Sequence, residues 1–236
     1  MALYHRTPKK VIPKIKVHDF GTASYEDIWQ LQKELADCRA AKQVVDALLI
    51  GEHEPVITLG RGAKEEDVLN PKVPVVEVER GGEATYHAPG QLIAYPVMEI
   101  PPGKRDLHLY LRDLEEVIIQ TLAEFDIEGI RREGFTGVWV QQGKKKSDVK
   151  KIASVGVAVR KWVAYHGISI NFNMDLKGFS QINPCGLSSA VMTSVKELSK
   201  KKITMDKFKK TFCAKFSEQF EMELVVPDKK KRAAVG

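Results

Sequence analysis

Apolar positions along the chain fall into two kinds of stretch: short runs rich in β-branched residues, and longer segments where they recur with a helical period. Lys16-Val17-His18-Asp19-Phe20 reads as a first edge strand, after a loose lysine-containing lead-in over residues 1–16. Ser24 opens a helix, with Asp27 three residues on as a capping partner. Ile28, Leu31, Leu35, Cys38, Val45, Leu48 and Leu49 then recur at roughly helical spacing, which carries the helical region to Gly51 and puts Cys38 on its apolar stripe. Val56 to Gly60, Val73 to Val78 and Leu92 to Val97 are short apolar runs expected as strands. Asp106 caps the clearest helix, whose face is Leu107, Tyr110, Leu111, Leu114, Val117, Ile118, Leu122 and Phe125. Strands are expected at Gly137–Val140 and Ile152–Val159, joined by a lysine-rich loop as a hairpin, and again over Trp162–Asn173. After a loop from Gly178 to Gly186, a helix from about Met205 to Phe220 carries four phenylalanines and Cys213, and a strand at Leu224–Val226 closes the pattern. Strands interspersed with a few helices, including a hairpin, predict an α+β fold of one domain over 1–236, with basic tails at about 1–15 and 228–236 expected to be flexible.

Composition narrows the class. The apolar fraction of 43% and charged fraction of 29% over 236 residues are those of a globular protein, and no run reaches the ~18 apolar residues of a membrane span. Three widely spaced cysteines without a CxxC pair argue against a disulfide framework or zinc site and for a reducing compartment, so a cytoplasmic protein is expected. The net charge of +6 is concentrated at Lys144–Lys146 with Lys150 and Lys151, at Lys196 with Lys200–Lys202, and at Lys229–Arg232. Such clusters are solvated faces, or attract an acidic protein or nucleic acid; charge alone does not choose.

Two stretches carry candidate chemistry. Arg80-Gly81-Gly82-Glu83-Ala84-Thr85-Tyr86-His87-Ala88-Pro89-Gly90-Gln91 packs polar side chains and three glycines between two apolar runs. A Gly-Gly pair between strands is most often only a turn, but this density of polar groups also suits a ligand-facing corner. Cys185, between Pro184 and Gly186, lies outside any apolar periodicity, unlike Cys38 and Cys213, which are expected to be buried. A lone cysteine is more often a packed residue than a nucleophile. As a nucleophile it needs a nearby cation to raise its thiolate fraction, and His87, His166 and many lysines are available.

Three segments in order give a resemblance. Arg80-Gly81-Gly82-x-x-Thr85-Tyr86-His87-x-x-Gly90-Gln91-x-x-x-Tyr95, Lys151-Ile152-Ala153-Ser154-Val155-Gly156 with His166-Gly167 and Asn171, and Phe179 with Ile182-Asn183-Pro184-Cys185-Gly186 resemble the motifs of the lipoyl(octanoyl) transferase LipB family. The resemblance covers about residues 20 to 200. It implies a fold similar to the biotin- and lipoate-protein ligase catalytic domain, a mixed sheet flanked by helices. It also implies octanoyl transfer from acyl carrier protein to a lysine of a lipoyl domain in lipoate biosynthesis, without metal or cofactor. By motif, Cys185 is the acyl-thioester nucleophile and Lys151 its partner; substrate contacts fall on Arg80 to His87, on Ser154, Val155 and Gly156, and on Gly167, Ile168 and Ser169. The basic clusters then suit an acidic carrier protein, and a monomer is expected. Two features depart from the pattern: the long lysine-rich loop from Gly143 to Lys150, and Ser169 where the segment after His-Gly is often more apolar. The rivals are an ATP-dependent lipoate- or biotin-protein ligase and a non-catalytic nucleic-acid-binding module.

Overall fold

A computed structural model describes residues 12–145, 148–183 and 191–226. The chain runs β1 (Lys14–Ala23), α1 (Tyr25–Ala40), β2 (Asp46–His53), β3 (Val56–Leu59), β4 (Val75–Glu77), β5 (Ala84–His87), β6 (Gln91–Glu99) and α2 (Leu107–Ala123). It continues through β7 (Gly129–Arg132), β8 (Phe135–Gln141), β9 (Val149–Arg160), β10 (Val163–Asn171), α3 (Val195–Leu198), α4 (Met205–Phe220) and β11 (Glu223–Val225). Eight strands form one mixed sheet in the order β11-β1-β2-β6-β10-β9-β8-β7, and β4-β3-β5 form a second, small sheet. β1 is parallel to both β2 and β11, while the other pairs of the large sheet are antiparallel.

Both faces of the large sheet are covered. On one face Leu48, Ile50, Leu92 and Ala94 meet Leu114, Val117, Ile118 and Leu122 of α2 and Phe208, Phe212 and Phe216 of α4. Those three rings repeat every fourth residue, one stripe of a helix, and truncating any one to alanine costs about 3–5 kcal/mol. On the other face, Leu49, Ile93, Tyr95 and Val97 meet Ile28 and Ala36 of α1. Strands covered on both sides lose the apolar–polar alternation of a half-exposed sheet. The segment from Val45 to Gly51 therefore mimics a helical pattern, yet α1 ends at Ala40 and residues 46–53 are a central strand.

Other expectations shift as well. The α1 cap is as expected, with Asp27 N–H donating to Ser24 Oγ at 3.2 Å. The buried stripe of α1, however, is Tyr25, Ile28, Gln32 and Ala36, leaving Leu31 exposed and Cys38 only half-buried. Gln32 is fully buried because its Oε1 accepts the His166 N–H at 2.7 Å. That N–H needs an acceptor outside the β6 ladder, whose pairing is interrupted between Ala164 and Ile168 where His166 takes φ +57°. β1 is not an edge, because β11 flanks it, and Ile15 of the expected loose lead-in is fully buried. The hairpin is present as β8–β9, and α4 spans the expected residues. The basic run Lys229–Arg232 lies outside the described residues.

Candidate active site

A cavity of about 320 Å³ is bounded by the Arg80–Thr85 segment, β9 and β10, with Leu107 and Leu111 of α2 at one wall and Tyr25 and Tyr95 contributing rings. It falls at the low end of the ~300–1,000 Å³ typical of small-ligand sites. Arg80, Gly81, Gly82, Glu83, Ala84, Thr85, His87, Lys151, Ser154, Val155, Gly156, Gly167, Ile168 and Ser169 all line it. Tyr86 does not: its ring turns to the other side of β5 and packs edge-on against Phe179 at 5.6 Å. Cys185 lies outside the described residues.

The glycine pair is more than a turn. Gly82 takes φ +83°, and Gly81 N–H donates to Val157 O of β9 at 3.0 Å. A Cβ on Gly156 would stand 2.9 Å from Gly81 O, so backbone lies directly on backbone across the cavity rim. Beyond the pair the chain becomes a strand rather than an open corner: β5 pairs antiparallel with β3, and all four of its residues are buried.

A directional hydrogen-bond chain holds these pieces together. Arg80 Nη2 donates to Thr58 O at 2.8 Å and to Thr58 Oγ1 at 2.9 Å. The Thr58 hydroxyl proton is then directed at His87 Nε2, 3.4 Å away. His87 Nδ1–H donates to Gln91 Oε1 at 2.7 Å, and the Gln91 amide donates to Tyr86 O and Asn171 Oδ1. Asn171 Nδ2 in turn donates to Thr193 O at 3.0 Å. His53 has the same tautomer: its Nδ1–H donates to Ala23 O, so the Tyr95 hydroxyl donates to His53 Nε2 at 3.0 Å. Both imidazoles are therefore neutral links.

Burial, with smaller contributions from the nearby His53 and Arg80 charges, pushes His87 down to about 3, and burial pushes His53 down to about 4. Both lie well below the 6.5 of a free histidine, so the unfolded chain binds more protons between these values. Stability is then complete above about pH 6.5 and is lost as pH falls toward 4 and 3, by up to ~1.4 kcal/mol per pH unit for each histidine. Urea unfolding midpoints are expected to decline steadily from about pH 7 to about pH 4.5; a flat profile over that window contradicts neutral, buried imidazoles.

Lys151 does not belong to the exposed lysine cluster in which its sequence neighbours place it. It is 3% exposed, with Nζ 5.5 Å from the centre of the fully buried Trp139 ring. A bulge puts it there: Val138 pairs with Ala153, whereas the next residue, Trp139, pairs with Lys151, so β9 holds one extra residue. The chain returning from the Cys185 segment meets this same residue, because Met192 bridges Lys151 and Thr193 N–H donates to Lys151 O at 3.0 Å. On the incoming side Asn183 N–H donates to Asp67 O at 2.9 Å. Burial pushes the Cys213 thiol up to about 11, which suits an inert residue. Among the described residues no three His, Cys, Asp or Glu side chains group as metal ligands, and no helix is long and apolar enough to cross a membrane.

The model of the lipoyl protein ligase A/B catalytic domain matches residues 24–217. The chain belongs to this family. Within the lipoyl protein ligase A/B family its similarity to octanoyltransferases is extensive. The octanoyltransferase of Syntrophotalea carbinolica is 43% identical over 83% of this chain and 89% of its own length. That of Geobacter metallireducens is 40% identical over 85% and 91%. Among solved structures, the bipartite lipoate protein ligase of Thermoplasma acidophilum superposes with a TM-score of 0.68 at 15% identity, covering 94% of this chain and 89% of that one. Lipoate-protein ligase A bound with ATP superposes with a TM-score of 0.65 at 16% identity, covering 94% and 92%. These structures share the fold, a mixed sheet flanked by helices, and the chain is an acyltransferase of this lipoyl protein ligase A/B fold.

Several residues at the cavity lie outside the motifs. Tyr25, Leu107, Leu111 and Thr136 line the cavity from elements far along the chain, and in the sequence Leu107 and Leu111 read only as members of the apolar stripe of α2. Glu115 is a further omission. It sits at 1% exposure between core residues Leu114 and Val117, where a charged residue interrupts an apolar face.

Proposed function

We propose that this chain transfers an octanoyl group from octanoyl-acyl carrier protein to the target lysine of lipoyl domains, through an acyl-thioester on Cys185. The observation that carries the proposal is the placement of Lys151: a buried ammonium-bearing side chain lining the cavity, bridged by backbone to the segment after Cys185. In the first step the Cys185 thiolate attacks the carbonyl carbon of the donor thioester. The bond to the carrier thiol breaks, and that thiol takes up a proton. In the second, the amine of the acceptor lysine attacks the enzyme thioester, loses a proton, and releases Cys185 as a thiol. Lys151 stabilises the thiolate as a cation and exchanges protons with the leaving and attacking groups. The backbone on both sides of the Gly81–Gly156 contact, with Ser154 and Ser169 paired across β9 and β10, lines the path of the acyl group.

The octanoyltransferases to which the chain is 38–43% identical support this donor and acceptor chemistry over that of an ATP-dependent ligase. A thioester donor already holds an activated acyl group, so no adenylate is needed. The working unit we propose is a single cytoplasmic catalytic domain acting as a monomer, with the lysines around the hairpin loop and Lys200–Lys202 facing an acidic carrier. Transfer from octanoyl-carrier protein to an apo lipoyl domain is expected without ATP. Activity that requires ATP and free octanoate instead contradicts the proposal and identifies a ligase; tight, salt-sensitive nucleic-acid binding without transfer identifies a binding module.

A further inference from the structure

We infer that Glu115 is a positioning residue that holds Lys151 in place from the opposite side of the β8–β9 bulge. The inference rests on the role given to Lys151 in the proposed reaction. Glu115 is one of the most deeply buried carboxylates among the described residues, on a helix whose other buried positions are Tyr110, Leu114, Val117, Ile118, Thr121 and Leu122. Burying a carboxylate costs several kcal/mol unless its oxygens are satisfied, so its presence on that face calls for a specific partner. Arg112 Nη1 and Arg131 Nε donate to Oε2 at 2.6 and 3.2 Å. Oε1 accepts the Gly137 N–H at 2.8 Å.

That amide sits at the bulge. Gly137 takes φ +111°, and the next residues, Val138 and Trp139, are those across which the β8–β9 register shifts. A Cβ on Gly137 would stand 2.8 Å from Lys151 Cε and would overlap Ala153 O. The Lys151 stem therefore lies along the bare glycine, with the Trp139 ring beside its ammonium group. Fixing the Gly137 amide fixes the floor under that stem. The same helix supplies Leu111, one turn before Glu115, to the cavity wall, so the carboxylate ties α2 to β8 beside the reacting groups.

The test compares Glu115→Gln, which keeps one oxygen able to accept the Gly137 N–H while its NH2 loses the bonds to Arg112 and Arg131, with Glu115→Met, which accepts none of these bonds. Glu115→Met is expected to lower kcat by about tenfold to a hundredfold, as for a misplaced catalytic group, and to alter the pH–rate profile, with KM for the lipoyl domain unchanged. Glu115→Gln is expected to lose less of kcat than Glu115→Met, because one acceptor for the Gly137 N–H remains. Amide hydrogen exchange at Gly137 is expected to be slow in the unaltered protein and in Glu115→Gln, and fast in Glu115→Met. Equal loss in both variants, no loss in Glu115→Met, or rapid exchange at Gly137 in the unaltered protein overturns the inference; the exchange measurement stands even where Glu115→Met fails to fold. If Lys151→Met itself retains full activity, the role of Lys151 is wrong, and a slow Gly137 amide then shows that only the structural contact survives.

Discussion

Cys185→Ser is expected to reduce octanoyl transfer to less than about one thousandth of its original rate, the scale on which removing a covalent nucleophile acts. A serine hydroxyl has nearly the size of a thiol but does not ionise near neutral pH, so the first acyl exchange fails while both partner proteins still bind. The donor's KM should therefore hold while kcat collapses. A serine variant that transfers at the original rate removes the covalent step from the mechanism. The comparison also separates the two activities this fold family supports, because direct attack of a lysine on an acyl-adenylate has no need of the sulfur.

Lys151→Met is expected to lower transfer by about 10²–10⁴-fold, the range for losing a positioned proton-transfer group. Methionine keeps an unbranched stem of similar reach, so packing against Gly137 and Trp139 is retained and the urea midpoint should change little. Lys151→Arg distinguishes two contributions. Arginine retains the cation that favours a thiolate but does not give up its proton. Alkylation of Cys185 by iodoacetamide is thus expected to stay fast in Lys151→Arg and to slow in Lys151→Met at neutral pH, while transfer falls in both. Equal alkylation rates in all three proteins contradict a lysine that assists the sulfur.

Elements whose pattern is local were legible in the sequence. The Ser24 and Asp106 caps, the phenylalanine stripe of α4 and the β8–β9 hairpin are each set by residues within a few positions of one another. What the sequence obscured depends on distant partners. The run from Val45 to Gly51 looks helical because helices cover both faces of β2 and remove its alternation. Gln32 looks like a surface residue of α1 until the interrupted β10–β6 ladder leaves the His166 amide in need of an acceptor. Lys151 reads as one more lysine in a basic cluster, and only the bulge opposite Trp139 turns it inward.

The candidate site divides in the same way. The glycine-rich motif, Lys151, Ser154–Gly156 and Gly167–Ser169 converge on one cavity although they span almost ninety positions, because β9 and β10 are neighbours and Gly81 rests on Val157. Tyr86, between two cavity-lining residues, faces away, as the twofold alternation of β5 requires. Tyr25, Leu111 and Glu115 belong to helices whose approach to the cavity comes from layer packing, which no local pattern records.

Intact-mass measurement of the protein after incubation with octanoyl-carrier protein, with no acceptor present, tests the covalent mechanism most directly. The expected result is a gain of one octanoyl group, mapped to the peptide containing Cys185 and discharged when an apo lipoyl domain is added. An unmodified protein that nevertheless octanoylates the lipoyl domain contradicts it.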